Sequence, residues 1–511
     1  MARRRIPCIN VIDLFAGPGG LGEGFAALEN DAGRRPFRIR MSVEKEASAH
    51  ATLTLRAFLR YFAKGFPPEY EAYRRGEISR ESLFGCCPRE AGAAHEETMG
   101  RPVELGKDNR LIRQQLNRVL SGRENEPWVV IGGPPCQAYS LAGRSRNQGK
   151  RGYRPEKDER NFLYREYLKI LARVQPEVFV MENVRGILSA RVHGERIFRR
   201  ILEDLEKPAK AVRVTGARDL EYRIHSLVVD RPPSELEWED YLICSERFGI
   251  PQARHRVILL GIRTDIKRRP RILEPSGGVN VRDVITGLPI IRSRISRGED
   301  SPEDWEYIMR KCVNECRSRV PPDVYRVMRS TVRELDGRLP VQSGNYPWKR
   351  PTFGRGLPRR LRAWLAGHSE SLHGHVARSH MPSDLARYFF AACWATARNG
   401  ISPRSDDYPA FLAPDHANWE SGKFPDRFRV QSWNRPSSTI TSHIAKDGHY
   451  FIHPDPIQCR SLTPREAARL QTFPDDYHFE GNRTQQYHQI GNAVPPWLAH
   501  QIAEIVYGIL N

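Results

Sequence analysis

One cysteine follows two prolines in "VIGGPPCQAYS", Val130 to Ser140, at the end of an apolar run. A thiol can be half of a disulfide, a buried filler or a nucleophile, and Cys136 carries features of the third. Pro134 and Pro135 restrict the backbone ahead of it, so its position is set before substrate arrives. The basic groups of "AGRSRNQGKRGYR" follow and favour the thiolate, which is the attacking form. Glu182 ends the apolar run "VFVM". A carboxyl so placed is partly desolvated and suited to sharing a proton with a ring nitrogen, although a salt bridge to an arginine is the plainer use. "PQARHR" supplies Arg254 and Arg256 at alternating positions, both able to face one site if the segment is extended.

These groups need a scaffold. "INVIDLF", "FRIRMSVE", "WVVIGG" and "EVFVMEN" have the length and β-branched content of strands. "GLGEGFAALE" and "FLYREYLKILARV" have helical spacing between them. Such alternation predicts an α/β fold with a parallel sheet covered by helices on both faces. Ligands bind such sheets beyond the carboxyl ends of the strands. There the first strand delivers Asp13 and Phe15 into "AGPGG", the second ends at Glu44, the third leads to Cys136, and the fourth ends at Glu182 and Asn183. Gly17, Gly19 and Gly22 fit G-x-G-x-x-G, and an acid at Glu44 suits a ribose diol, as carried by NAD, flavin or S-adenosylmethionine.

The rest of the chain is less periodic. About 60–123 reads as a helical insertion, and 281–430 is rich in Arg, Pro, Ser and aromatics with no clear period. The closing "PPWLAHQIAEIVYGIL" is a helix with Leu498, Ile502, Ile505 and Ile509 on one face. At 511 residues two domains are expected. The net charge of +20 suits a polyanionic partner, most simply nucleic acid. Nine scattered cysteines do not form a disulfide framework, and all but Cys136 read as small buried hydrophobes. Cys312 and Cys316, or Cys86 and Cys87, have no second pair at zinc spacing, so no metal is expected. Neither a membrane span nor the apolar run of a secretion signal is present, so a cytoplasmic protein is expected.

Taken in order, "DLFAGPGG", "GGPPCQAYS", "MENV", "PQARHRV", "LTPREAARLQTFP" and "QIGNAVPP" resemble the motif set of DNA cytosine-5 methyltransferases. The resemblance runs from Val11 to about Val506, with interruptions at 60–123 and 281–430. It implies a Rossmann-like S-adenosylmethionine-dependent methyltransferase sheet in residues 1–280 plus 485–511, and a smaller irregular target recognition domain at 281–484. By that resemblance Cys136 is the nucleophile toward C6 of cytosine, Glu182 meets N3 and the exocyclic amine, and Arg256 with Arg254 contacts the base oxygen and backbone. S-adenosyl-L-methionine would meet Phe15, the turn of Gly17, Gly19 and Gly20, the ribose acid Glu44, Asp108 as the acid of the third motif, Leu163, and Asn492 of the closing motif. The substrate is then a base rotated out of double-stranded DNA, with segment 143–154 expected to close over it. "GHVARSH", "GNYPWKRP" and "RFRVQSWNRPSSTITS" are candidate DNA-reading or backbone-contact elements.

The first motif begins at Val11, which favours a prokaryotic or phage modification enzyme, monomeric, in a restriction–modification system whose endonuclease acts separately. Two rivals carry part of the pattern. An RNA (tRNA) cytosine-5 methyltransferase shares these motifs but resembles a shorter chain. An NAD-dependent oxidoreductase would own "GPGGLG" and Glu44 but leave Cys136, Glu182 and the arginines without shared purpose.

Overall fold

The computed structural model describes residues 8–62, 65–135, 160–192, 195–214, 220–296, 300–336, 339–342, 348–349, 352–368, 371–415, 419 and 426–511. Its centre is a seven-stranded sheet of β1 (Ile9–Leu14), β2 (Phe37–Val43), β3 (Trp128–Gly132), β4 (Val178–Val184), β5 (Tyr222–His225), β6 (Leu242–Cys244) and β7 (His255–Arg263). The first four run parallel in the order β2-β1-β3-β4. β7 then lies antiparallel to β4, with β5 on its outer edge and β6 pairing with its first residues. β1 and β3 are buried throughout, which is why they read as unbroken apolar runs rather than alternating ones.

Because β7 is antiparallel, its first residues meet the last residues of β4: Arg256 opposes Val184 and Ile258 opposes Glu182. The end of β4 and the start of "RHR" therefore share the rim at which β1, β2 and β3 also end.

A short helix, α1 (Gly20–Ala26), follows the glycine turn after β1. The segment expected as an insertion, about 60–123, holds α3 (Pro68–Arg74), α4 (Arg80–Cys86) and α5 (Pro88–Glu97), which with the preceding α2 (Ala47–Leu59) enclose a small core of Leu55, Phe58, Tyr70, Leu83 and Ala94. Then α6 (Asn109–Leu120) and α7 (Arg160–Val174) cover one face of the sheet through Ile112, Leu116, Tyr167 and Leu171.

The second region is more regular than its composition suggested. α8 (Pro302–Cys316), α9 (Pro322–Leu335) and α10 (Pro382–Ala397) pack Trp305, Met309, Met328, Leu385 and Phe389 into one core. Their arginines lie mainly on outer faces and hid the period. A further core joins Val281, Leu361, Leu462 and Phe473 to α11 (Pro464–Leu470) and α12 (Arg483–Asn492). Finally α13 (Pro496–Leu510) returns to the sheet beside α1, with Leu498, Ile502, Ile505 and Ile509 buried as the spacing predicted.

Among the described residues no helix is long and apolar enough to cross a membrane. The cysteines depart from the uniform buried reading. Cys312, Cys316, Cys393 and Cys459 are buried, whereas Cys8 and Cys86 are exposed and Cys87 and Cys244 are half-buried.

Candidate active site

The turn after β1 is a left-handed stretch: Phe15, Gly17 and Gly19 have φ of 57°, 58° and 99°. Only Gly17 faces open space, because an added Cβ there would find no atom within 4 Å. At Gly19 a Cβ would press on Leu53 and Tyr477, and at Gly20 it would lie 2.4 Å from the Val494 carbonyl oxygen. Those two glycines shape the turn by admitting neighbouring protein. Gly22 has a similar task, since its Cβ would lie 2.8 Å from Asp13 Oδ2. Burial pushes the Asp13 carboxyl up to about 8.

Glu44 ends β2 and locks onto this turn. Its Oε2 accepts from Gly17 N at 2.8 Å, and its Oε1 accepts from Lys45 N at 2.9 Å and Glu46 N at 2.7 Å. Burial raises its pKa, and these N–H groups pull the other way. A carboxylate has about four acceptor positions, so one remains on Oε2 for a hydroxyl. An open left-handed turn beside a fixed acceptor fits a ribose diol. Phe15 packs its half-buried ring at the same rim. Leu163 of α7 lies against Gly106, 3.5 Å from where its Cβ would be, and Asn492 is exposed at the end of α12.

Asp108, the expected acid of the third motif, is engaged within its own loop. It is half-buried, accepts from Glu104 N at 2.8 Å and pairs with Arg101 at 3.3 Å, and the Glu104 amide first of all holds its carboxyl down. Glu104 is tied to the end of β2. Val103 N donates to the Glu44 carbonyl at 2.9 Å, and Lys45 Nζ reaches Glu104 Oε1 at 3.0 Å. The missed signal was "VEL", an acid between two residues that are both buried, Val103 and Leu105.

At the other half of the rim, Glu182 and Arg256 stand diagonally across the antiparallel pair, Nε to Oε1 at 3.0 Å and with side chains 14% and 16% exposed. The plainer of the two uses considered for Glu182, a salt bridge, is therefore present. Burial lowers the Arg256 pKa, and Glu182 opposes that shift.

The chain approaching Cys136 is pinned to the same residues. Asn183 Nδ2 donates to the Pro134 carbonyl at 3.1 Å, and a Cβ on Gly133 would lie 2.9 Å from Glu182 Oε2. Pro135 is the last described residue of this approach. Cys136 and the expected closing segment 143–154 lie outside the described residues.

Arg254 does not share the Arg256 position. It is 1% exposed, and its Nη1 donates to the carbonyls of Ile440 at 3.0 Å and Gly491 at 3.1 Å. Burial, with Arg256 beside it, drives its pKa well down. Strand alternation turns it into the seam between the sheet and the second region. Gln252, whose role was not foreseen, works in the same seam. Its Oε1 accepts from Ile440 N at 2.8 Å, and its Nε2 donates to Leu470 O and to Gln471.

"GHVARSH" is also turned inward. His375 bonds Thr463 and Pro289, Arg378 donates to Ala445 O, and His380 is buried, so none of the three is free to read bases. In "RFRVQSWNRPSSTITS", Gln431 and Ser437 are buried, while Asn434 and Arg435 remain exposed. Residues 344–347, 350 and 351 of "GNYPWKRP" lie outside the described residues.

The family described as C-5 cytosine-specific DNA methylase matches residues 112–285 and 377–507. The type II methyltransferase M.Bpa9945I of Bacillus paralicheniformis is 33% identical, covering 98% of this chain and 99% of that protein. The type II methyltransferase M.AgeI of Thalassovita gelatinovora is 26% identical over 98% of this chain and 99% of its own length.

Proposed function

The chain belongs to the C-5 cytosine-specific DNA methylases, and from that premise we propose that it methylates C5 of one cytosine in a specific duplex sequence through a covalent Cys136 adduct. The observation that carries the reading is the Glu182–Arg256 pair set against the Gly133–Pro134 approach.

The cytosine must leave the stack, at a cost of a few kcal/mol. The Cys136 thiolate adds to C6 while Glu182 hydrogen-bonds N3 and shares the proton there. Arg256 meets the base oxygen and steadies the carboxylate. Electron density pushed onto C5 makes that carbon nucleophilic. S-adenosylmethionine, when bound, supplies the electrophilic methyl. Loss of the C5 proton and expulsion of Cys136 then restore the aromatic ring, two modest steps replacing one difficult one.

Phe15, the Gly17 turn, Glu44, Leu163 and Asn492 would hold the donor, with Glu104 in place of Asp108 as the additional acid. Arg254 and Gln252 would position Arg256 by fixing the start of β7 to the second region. Residues 281–484 would read the sequence, with Asn434 and Arg435 exposed beside the seam. The type II designation of the relatives supports a modification role, protecting DNA from a separately acting endonuclease of the same specificity.

The test is trapping on duplex DNA carrying 5-fluorocytosine, which blocks the final proton loss. Wild type should give a band stable to denaturation that depends on methyl donor, and Cys136→Ala should give none while still binding DNA. A crosslink of equal yield in Cys136→Ala would overturn the nucleophile. Methylation of tRNA but not DNA would overturn the substrate.

A further inference from the structure

We propose that Cys244, Glu246 and His255 form a zinc-type site on the β6–β7 hairpin, behind the Glu182–Arg256 pair. The three supply one thiol, one carboxylate and one imidazole whose ligand atoms all lie within 4.8 Å of one another, and they are the one such group among the described residues. The ladder brings them together. Cys244 and His255 are direct partners across the antiparallel pair, so their side chains share a face. Glu246 follows in the turn, whose start is held by Ser245 Oγ donating to the Arg254 carbonyl at 2.6 Å.

A simple ion pair accounts for only part of this. His255 Nε2 meets Glu246 Oε1 at 2.8 Å, yet Glu246 Oε2 is buried with no hydrogen-bond partner among the described residues. That buried, unused acceptor is independent of the ion pair, and a cation held between it, the sulfur and the imidazole would satisfy it. The donor set selects the metal. Calcium and magnesium take oxygen ligands, whereas sulfur with imidazole and carboxylate suits zinc.

Donors about 2.0–2.3 Å from one zinc ion lie roughly 3.3–3.8 Å apart, so closing this trio needs adjustments of about an ångström. The ion would replace the thiol proton, which passes to solvent, and the thiolate and carboxylate would balance its two charges. All three residues are half-buried, so water can reach a fourth position. Arg185 and Arg247 lie near the sulfur and favour thiolate while opposing the cation, and Glu246 does the reverse.

Alternation along β7 puts His255 on the face opposite Arg256. The ion would clamp the hairpin without entering the reacting site. Nothing in the spacing of Cys244, Glu246 and His255 resembles a zinc motif, because a ladder and not a helix or knuckle assembles them.

The probe is cobalt(II) titrated into metal-free full-length protein, followed by its sulfur-to-metal charge-transfer band, with zinc as competitor. One equivalent should bind with that band, and zinc should displace it and raise Tm by several degrees. Cys244→Ser should lose the band and the Tm rise, and Glu246→Gln should weaken binding at least tenfold. The variant with both Cys86→Ser and Cys87→Ser should behave as wild type. No cobalt binding, binding without the charge-transfer band, or a band that survives in Cys244→Ser would each overturn the proposal.

Discussion

Adjacent glycines at the end of β3 should fail in different ways when given a methyl group. At Gly133 an alanine Cβ would sit 2.9 Å from Glu182 Oε2 and 3.6 Å from the Glu182 carbonyl oxygen. Ordinary C···O contacts begin near 3.3–3.6 Å, so the carboxylate must retreat by about half an ångström. It is the free end of a side chain and can do so, with no positive φ at Gly133 to add strain. A misplacement of about 1 Å costs about a hundredfold in rate, so half of that predicts about tenfold, or roughly 1.4 kcal/mol in the barrier.

At Gly132 the same methyl would lie 2.6 Å from the Leu14 carbonyl oxygen and 3.2 Å from its Cβ. Those atoms belong to the paired strand β1 and cannot swing aside, so the cost is the overpacking of a core, about 1–3 kcal/mol of stability. Single-turnover methyl transfer with tritiated donor, with urea unfolding and DNA gel shift on the same preparations, separates the outcomes. Gly133→Ala should keep its urea midpoint and DNA affinity and lose about tenfold in rate, whereas Gly132→Ala should lose stability first. Wild-type rates in Gly133→Ala would refute the placing of Glu182 at the reacting base.

Arg469 clasps Asp475 at 2.8 and 2.6 Å with no exposure, and also donates to Val284 O at 2.7 Å. Arg469→Met should therefore cost about 3–5 kcal/mol in urea unfolding, with partial recovery when Asp475→Leu is added. Asp13 carries a pH signature. Its folded pKa of about 8 lies above the ordinary 3.8, so the folded form holds a proton that the unfolded chain releases. Its contribution is full below about pH 4 and declines up to about pH 8, by roughly 4 kcal/mol between pH 4 and 7 at 1.36 kcal/mol per pH unit. Asp13→Asn should gain on wild type as pH rises through that window; a difference independent of pH would remove the buried-acid assignment.

Local pattern alone was enough for the four parallel strands and for much of the rim, but not for the antiparallel β5, β6 and β7 that complete a mixed sheet. β1, β3 and β4 are short β-branched runs, and each ends in a residue whose chemistry is unusual for its place: Phe15 before a glycine turn, the paired prolines, Glu182 after four apolar residues. A parallel sheet puts strand ends of this kind together whatever the loops do, so the joint reading of Glu44, Glu182 and the approach to Cys136 needed no coordinates. The helices of 302–397 were harder, because arginine on their outer faces masks the apolar period that Trp305, Met309 and Leu385 supply within.

Side-chain direction and register lay beyond the sequence. Arg254 and Arg256 are equivalent as letters, but the antiparallel ladder of β7 gives one to Glu182 and sends the other to the carbonyls of Ile440 and Gly491, residues about 190 and 240 positions away. Asp108 and Glu104 are acids in one short stretch, and only the fold ties the segment of the second to Glu44 through the Val103 amide while the first turns to Arg101. Cys244 and His255 acquire a common purpose only through pairing across β6 and β7. Sequence period reports which face of its own element a residue occupies; which neighbour waits on that face depends on contacts between distant segments, and these exist only once the chain has folded.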